Sequence, residues 1–394
     1  MIKDGGGPRA LAAPGKLGLT VIAAVIALIG FRLGALPGGL AGADVVLAAL
    51  GWWFASGGDG FAGVRRRTAT AWSVLWPPVL AAIALAAAWV AVASSTRLDV
   101  VVRGEAIAAL GGYSNWHQIS LGPVEELASR VQSPMQQMWL AAVAVQCLLV
   151  WLLLVAATRG RAARHPERPD PVVVGGLVLA GLGIVAGLIL LATGASGQAL
   201  LIATPIRAVS FFLGAVAGAA GDSKLGRTLH TKAHGARWAG VAALVAVAVI
   251  GAPDSDLGRL AAVLLVPLVA AVVVIAALPR SRSAEPAPSS LGQMEWSALV
   301  ATCVLATPAI ALVRAALPDA SAWIVGVLGL AVAAASIGGV VWLASLRSME
   351  PAAIERRRVL GPPLVLALLV VLFSLTGAFH WEAPQTIEQW QASR

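Results

Sequence analysis

Residues 113–151 read YSNWHQISLGPVEELASRVQSPMQQMWLAAVAVQCLLVW, and their polarity changes once, at Ser133-Pro134, where a hydrophilic segment runs into an apolar helix. The hydrophilic part closes the one long polar interruption of the chain, residues 95–133, which separates two apolar runs of membrane length. A connection of that length between packed helices is usually either functional or disordered. This one is neither low-complexity nor a charge run. Tyr113, Asn115, Trp116 and His117 stand close together, Glu125-Glu126 follows, and Ser133-Pro134 ends it. It reads as an ordered polar cap over whatever the helices enclose.

Working outward, the 394 residues are 59% hydrophobic and 12% charged, with a mean hydropathy of +0.85. That composition is an integral membrane protein's. A helix needs about 20 apolar residues to cross the hydrocarbon core, and with no water there to pair backbone groups only helices and closed barrels span it. Continuous apolar runs, rather than alternation, exclude a barrel. The net charge of +9 lies between apolar segments instead of on one soluble face, so it marks topology and not nucleic-acid binding. Cys147 and Cys303 both fall inside apolar runs, which leaves no disulfide framework and no metal cluster.

The expected fold is therefore an all-α polytopic bundle. Residues 1–16 form a Gly-rich basic leader, and residues 17–36 are the first span, kept as an anchor because no cleavage site follows. Pro37-Gly38-Gly39 turns the chain into a second span at 40–56, which carries Asp44. A basic loop with Arg65, Arg66 and Arg67 precedes the third span at about 71–94, and the cap at 95–133 leads to the fourth at 135–158. Further spans are expected at about 172–193, 207–221, 238–252, 260–278, 296–316, 323–346 and 360–379, which makes eleven. Residues 17–379 form one transmembrane domain, the Pro/Ser-rich piece at 280–293 is a linker, and residues 380–394 are a short tail.

A cytoplasmic N-terminus puts 20 of the 28 basic residues on the cytoplasmic side, as the positive-inside rule requires. The polar cap and the tail then face outward from the plasma membrane.

With the segments placed, a family resemblance emerges. Pro37-Gly38-Gly39-Leu40-Ala41-Gly42-Ala43-Asp44, followed by Gly51, is similar to the PGGFVGVD…SG stretch of the membrane acyltransferase-3 family. Tyr113-Ser114-Asn115-Trp116 resembles that family's aromatic-x-Asn-Trp, and Ser133-Pro134…Trp139…Gln146 its SP…HxWSLxxEEQFY helix. Thr204-Pro205-Ile206-Arg207-Ala208…Gly214 is similar to T-x-x-R-A…G, Trp296-Ser297 stands where YSLYLWHWP is expected, and Met349-Glu350-Pro351 resembles a closing vE-x-P. Six matches in order span most of the chain. An eleventh span resembles the subtype that carries an outer SGNH esterase-like domain, with that domain absent here.

The resemblance implies an O-acyltransferase that takes acyl-CoA as donor, and the chain departs from it at the chemistry. The family's His near the first helix falls on Gly30 (or Phe31), the two acidic positions of the WSLxxEEQFY helix fall on Ala144 and Val145, and the later His falls on Thr302, or on Ala306 if Pro308 is the matching proline. Acyl transfer to a hydroxyl needs a base or nucleophile and donors for the oxyanion. None of these residues titrates usefully, so no catalytic residue is assigned. Apolar replacement relieves the cost of ionisable groups in a membrane, and the pattern reads as a degenerate relative.

The remaining polar residues define the candidate pocket: Asp44, Arg207, Asn115, Trp116 and His117. Asp44 is either a site carboxylate or the partner of Arg32 or Arg207 in a structural ion pair. Arg207 either holds a phosphate or carboxylate bidentately or snorkels at the boundary, and Arg314 reads as a boundary residue. His117 is a displaced base or a solvated loop residue. Glu125-Glu126 reads as a solvated face, and His165, His230 and His234 as incidental members of basic loops. Arg65–Arg67 are the candidate acyl-CoA-facing cations, although positive-inside topology alone accounts for them.

Three function classes follow. The first is a non-catalytic relative that binds an envelope lipid, a glycan or another membrane protein. The second is an active O-acyltransferase on an envelope glycan or lipid, and the third is a transporter, against which stand a single buried carboxylate and no evident inverted repeat. No cofactor is expected beyond acyl-CoA as donor if the chain is active.

Overall fold

The computed structural model describes residues 16–32, 38–56, 60–93, 96–121, 133–164, 170–195, 197–221, 223–250, 256–277 and 290–346. Two units divide at Ile337, Met1–Ile337 and Gly338–Arg394. In the second unit the described residues 338–346 are helical, and the expected span at 360–379, the tail and the Met349-Glu350-Pro351 match lie outside the described residues, as do Glu125-Glu126 and His165.

Every regular element among the described residues is helical. In chain order they are α1 (Lys16–Arg32), α2 (Ala41–Ala55), α3 (Gly60–Ala93), α4 (Thr96–Leu110), α5 (Ser114–Leu121), α6 (Met138–Arg164), α7 (Pro171–Ala192), α8 (Gly197–Ile202), α9 (Thr204–Ala220), α10 (Lys224–Ile250), α11 (Asp256–Ala277), α12 (Ser290–Ala316) and α13 (Ala322–Leu346). Segments Met138–Thr158, Pro171–Ala192 and Ala199–Ala220 are long and apolar enough to cross a membrane, and shorter apolar helices accompany them. The protein is thus helical, with the make-up of a membrane protein.

Helix ends and polarity breaks do not coincide. The arginines expected in a loop, Arg65–Arg67, lie in the early turns of α3, which runs unbroken from Gly60 through Pro77-Pro78. Likewise His230 and His234, expected in a loop before a span at 238, belong to α10, which begins at Lys224. A helix satisfies its own backbone in water as well as in lipid, so nothing obliges it to stop where the apolar residues do. The cap is built of helices too, with α4 and α5 meeting at a turn where Gly112 takes φ +70°, a left-handed conformation that suits glycine.

Helix α2 is the centre of the bundle. All its residues except Trp52 and Trp53 are buried, and it packs most extensively against α9, with α1 and α11 also against it. Small residues make this possible. A β-carbon added to Gly51 would collide with the Phe211 carbonyl, one on Gly214 with Ala48, and one on Gly218 with Trp52. Gly214-Ala215-Val216-Ala217-Gly218 is a G-x-x-x-G, the spacing that lets helix backbones approach where lipid supplies no hydrophobic drive.

The residue pairs also set directions. Ala48 meets Gly214 and Trp52 meets Gly218, so α2 and α9 run parallel. Gln146 bonds Thr204 and Trp151 stacks on Phe212, so α6 runs with them. Gly176 faces Val216 while Gly187 faces Ile206, so α7 runs opposite. The Gly38 N–H donates to the Ala248 carbonyl at 3.1 Å, which puts the end of α10 beside the start of α2. One end of the bundle therefore gathers the close of α6, with Arg159, Arg161 and Arg164, and the start of α10. The cap occupies the other end.

Candidate functional site

Asp44 sits one turn into α2 and is fully buried (0% exposed). Arg207 sits one turn into α9, also buried, and because the two helices are parallel and in register their side chains meet. The Arg207 Nη1 donates to Asp44 Oδ2, and its Nε donates to the Leu201 carbonyl. Ser210, three residues on and so on the same helix face, donates from its hydroxyl to Asp44 Oδ1 at 2.6 Å. Both carboxylate oxygens are thus engaged inside the closest helix crossing among the described residues. Of the two partners weighed for Asp44, the structure selects Arg207; the side chain of Arg32 is outside the described residues.

A second polar cluster joins the cap to the bundle. Gln146, on α6, uses all its hydrogen-bonding capacity: its Nε2 donates to the Gly112 carbonyl at 2.7 Å and to Asn115 Oδ1 at 3.0 Å, while its Oε1 accepts from the Thr204 hydroxyl and from Trp116 Nε1 at 3.1 Å. Asn115 Nδ2 donates to Thr204 Oγ1 at 2.7 Å and reaches the Ile202 carbonyl at 3.4 Å. Asn115, Gln146 and Thr204 come from distant stretches of sequence and close a ring, with Trp116 half-exposed on its rim (43%). This ring and the ion pair are neighbours, since they bond to the adjacent carbonyls of Ile202 and Leu201.

His117 lies on the cap near α4, where a β-carbon on Gly104 would stand 3.1 Å from its Nε2. That nitrogen is shielded from solvent with no hydrogen-bond partner, and burial lowers the imidazole's pKa below its usual value, which favours the neutral ring. The imidazole and the Tyr113 ring stand nearly perpendicular, with centroids 6.5 Å apart. Ser133, at the start of the turn before α6, donates to the carboxylate of buried Glu105 on α4 and accepts from the Met135 N–H at 3.2 Å.

The degenerate family positions occupy two places. Ala144 and Val145 are buried on α6, with Val145 beneath the Gly112 turn. The others lie next in sequence to a narrow cleft lined by Leu28, Ile29, Gln137, Cys303, Ala306, Thr307 and Ile310: Gly30 follows Ile29 on α1 and Thr302 precedes Cys303 on α12, neither of them a lining residue, whereas Ala306 is itself a wall. The cleft's walls are mainly hydrocarbon, with the amide of Gln137 and the hydroxyl of Thr307 as polar groups.

Of the candidate pocket residues, the structure brings Asp44 and Arg207 into contact and locks Asn115 to the start of α9 and Trp116 to Gln146 on α6, while His117 faces α4 instead. Arg65–Arg67 belong to the beginning of α3, which follows the end of α2, whereas Asp44 lies at its start. Arg314 is exposed and donates to the Ala320 carbonyl at 2.7 Å. Sequence reading missed Ser210, Gln137, Thr307 and Glu105, and Glu105 is a second buried carboxylate in addition to Asp44, which corrects the expectation of a single one. Only Ser210 carried a signal, its three-residue spacing from Arg207. Among the described residues no group of three or more His, Cys, Asp or Glu gathers to hold a metal ion.

No protein-family model, curated protein or solved structure matches the chain.

Proposed function

We propose that the chain is a catalytically degenerate relative of the membrane acyltransferase-3 proteins, a plasma-membrane protein that binds an envelope lipid along the apolar cleft between α1 and α12. The topology proposed with it has eleven spans, a cytoplasmic N-terminus and an outward cap. One observation carries the reading. Ile29 and Cys303, the chain neighbours of Gly30 and Thr302, and Ala306, the alternative position on α12, line a single cleft whose walls are mainly hydrocarbon. The cleft is narrow, with enclosed space of about 10 Å³, about that of one water, so an acyl chain lies along its hydrocarbon walls rather than inside it; its amide and hydroxyl are donors for an ester carbonyl, and it offers no base for acyl transfer.

The Asp44–Arg207–Ser210 cluster supports the same reading, because a carboxylate whose two oxygens are already bonded is built to hold helices rather than to move protons. A glycan-linked lipid is one form of the ligand. A membrane partner at the cap is the competing form of this class, and a transporter finds no supporting observation.

Purified protein in lipid, given labelled acyl-CoA and envelope extract, is expected to show no turnover above a boiled control. The same protein is expected to photocrosslink to a phospholipid carrying a diazirine in its acyl chain, with loss of labelling in Ala306→Trp. Robust acyl transfer that survives His117→Ala and Asp44→Asn overturns the degenerate reading, and unchanged labelling in Ala306→Trp overturns the cleft. Single cysteines at Ser120 and Ser393 are expected to react with an impermeant reagent from outside; protection of either overturns the topology.

A further inference from the structure

Helix α10 starts as one kind of helix and ends as another. From Trp238 onward it is apolar, while Lys224, Arg227, Lys232 and Arg237 crowd its first half with His230 and His234, and residues 223–253 contain no Asp or Glu. Spacings of three and four residues set Arg227, His230, His234 and Arg237-Trp238 along one stripe. The imidazoles of His230 and His234 stack at 6.2 Å with 12° between their planes, and the Arg237 guanidinium lies over the Trp238 ring at 4.4 Å. Trp238 is 71% exposed.

Each feature has a physical meaning. Tryptophan prefers the membrane–water interface, so Trp238 sets the depth at which α10 leaves the hydrocarbon. At 1.5 Å per residue, Arg237 and His234 then lie within about 6 Å of it, inside the headgroup layer of a leaflet. Imidazole N–H groups and a guanidinium are donors for phosphate oxygens, and a ring held beneath the guanidinium fixes its plane.

We propose that this stripe, centred on His234 and Arg237 against Trp238, with His230 stacked on the water side of His234, is a binding site for the phosphate headgroup of an anionic phospholipid. Continuity with the apolar half of the helix selects a lipid over a soluble polyanion, because the phosphate arrives at the depth where the donors stand. The proposal rests on the membrane insertion of α10 and not on the likeness to acyltransferases, so it survives failure of that reading.

The test uses the full chain in neutral-detergent micelles doped with dioleoylphosphatidylglycerol or dioleoylphosphatidylcholine, with bound lipid counted by native mass spectrometry. A basic residue near an anionic surface is worth roughly fivefold in affinity. The wild type is expected to retain phosphatidylglycerol over phosphatidylcholine, and the variant His230→Gln/His234→Gln/Arg237→Gln to lose that preference at least roughly fivefold. The comparator Arg161→Gln/Arg164→Gln, which removes charge at the same end of the bundle, is expected to keep it. Equal loss in the comparator, or competition by millimolar inorganic phosphate as effective as by lipid, overturns the site. Should the triple variant misfold, salt titration of the wild type decides: the preference should weaken several-fold between about 0.1 and 1 M salt, and no preference at low salt overturns the proposal.

Discussion

The backbone of Gly214 lies directly against the carbonyl of Ala48, leaving no space for a side chain between α9 and α2. The buried ion pair depends on this approach, because it brings Asp44 within reach of Arg207 and Ser210. Gly214→Ala is expected to force the helices apart and cost roughly 1–3 kcal/mol or more by overpacking. Gly181, on α7, has open space where its β-carbon would stand, so Gly181→Ala should be neutral or gain up to about 1 kcal/mol from helix propensity. Thermal unfolding of the two variants in detergent checks the contrast; equal effects would mean the crossing is not tight.

Removal of one member of the buried pair leaves an uncompensated charge. Arg207→Met is expected to destabilise by roughly 3–5 kcal/mol, with Asp44→Asn/Arg207→Met recovering part of the loss. A double variant less stable than Arg207→Met alone would show that the two side chains are not coupled.

Gln146→Leu removes four hydrogen bonds at once and leaves Asn115 Oδ1, the Thr204 O–H, the Trp116 N–H and the Gly112 carbonyl without their partner, while Asn115 and Thr204 keep the bond to each other. The expected cost is roughly 1–3 kcal/mol per buried group left unpaired. Hydrogen exchange should rise at residues 112–118 while α2 and α9 stay protected. A uniform rise across the bundle would assign Gln146 to the core rather than to the cap.

The pKa of His117 is lowered by burial from 6.5, so the folded protein binds fewer protons than the unfolded chain between the two values. Stability is then constant above the unfolded pKa and falls as pH drops from about 6.5 towards the folded one. Apparent Tm in detergent should be lower at pH 5.5 than at pH 7.5, by an amount that shrinks in His117→Asn. An undiminished difference in that variant would place the pH response elsewhere.

Part of the candidate site could be read from the chain and part could not. Asp44 stood out because a lone acid among Val, Leu and Ala has few explanations in a membrane, and Arg207 was a natural partner by the same token. Asn115 and Trp116 were visible as polar residues clustered in a cap. Gln146 entered only as part of a motif, and its fourfold role was hidden because its partners come from Gly112, Asn115, Trp116 and Thr204. Glu105, among valines and alanines of a cap segment, gave no sign of the Ser133 bond that buries it. Residues 224–237 were misread as a loop because charge was taken for a helix end, whereas charge marks where lipid ends and backbone hydrogen bonding marks where a helix does.

Composition and the length of the apolar runs by themselves determined that this is a helical, membrane-type protein with a polar cap, because the cost of unpaired backbone in lipid leaves only that solution for such runs. Which helices touch was decided by the tertiary structure alone. Helix α2 meets α9 across more than 150 residues of chain, and the choice rests on the fit of Gly51, Gly214 and Gly218 against opposing carbonyls, a property of two surfaces together that neither segment carries alone. That same fit decides that Asp44 is held by Arg207 and Ser210, and the packing of α1 on α12 decides that Ile29 and Cys303 wall one cleft.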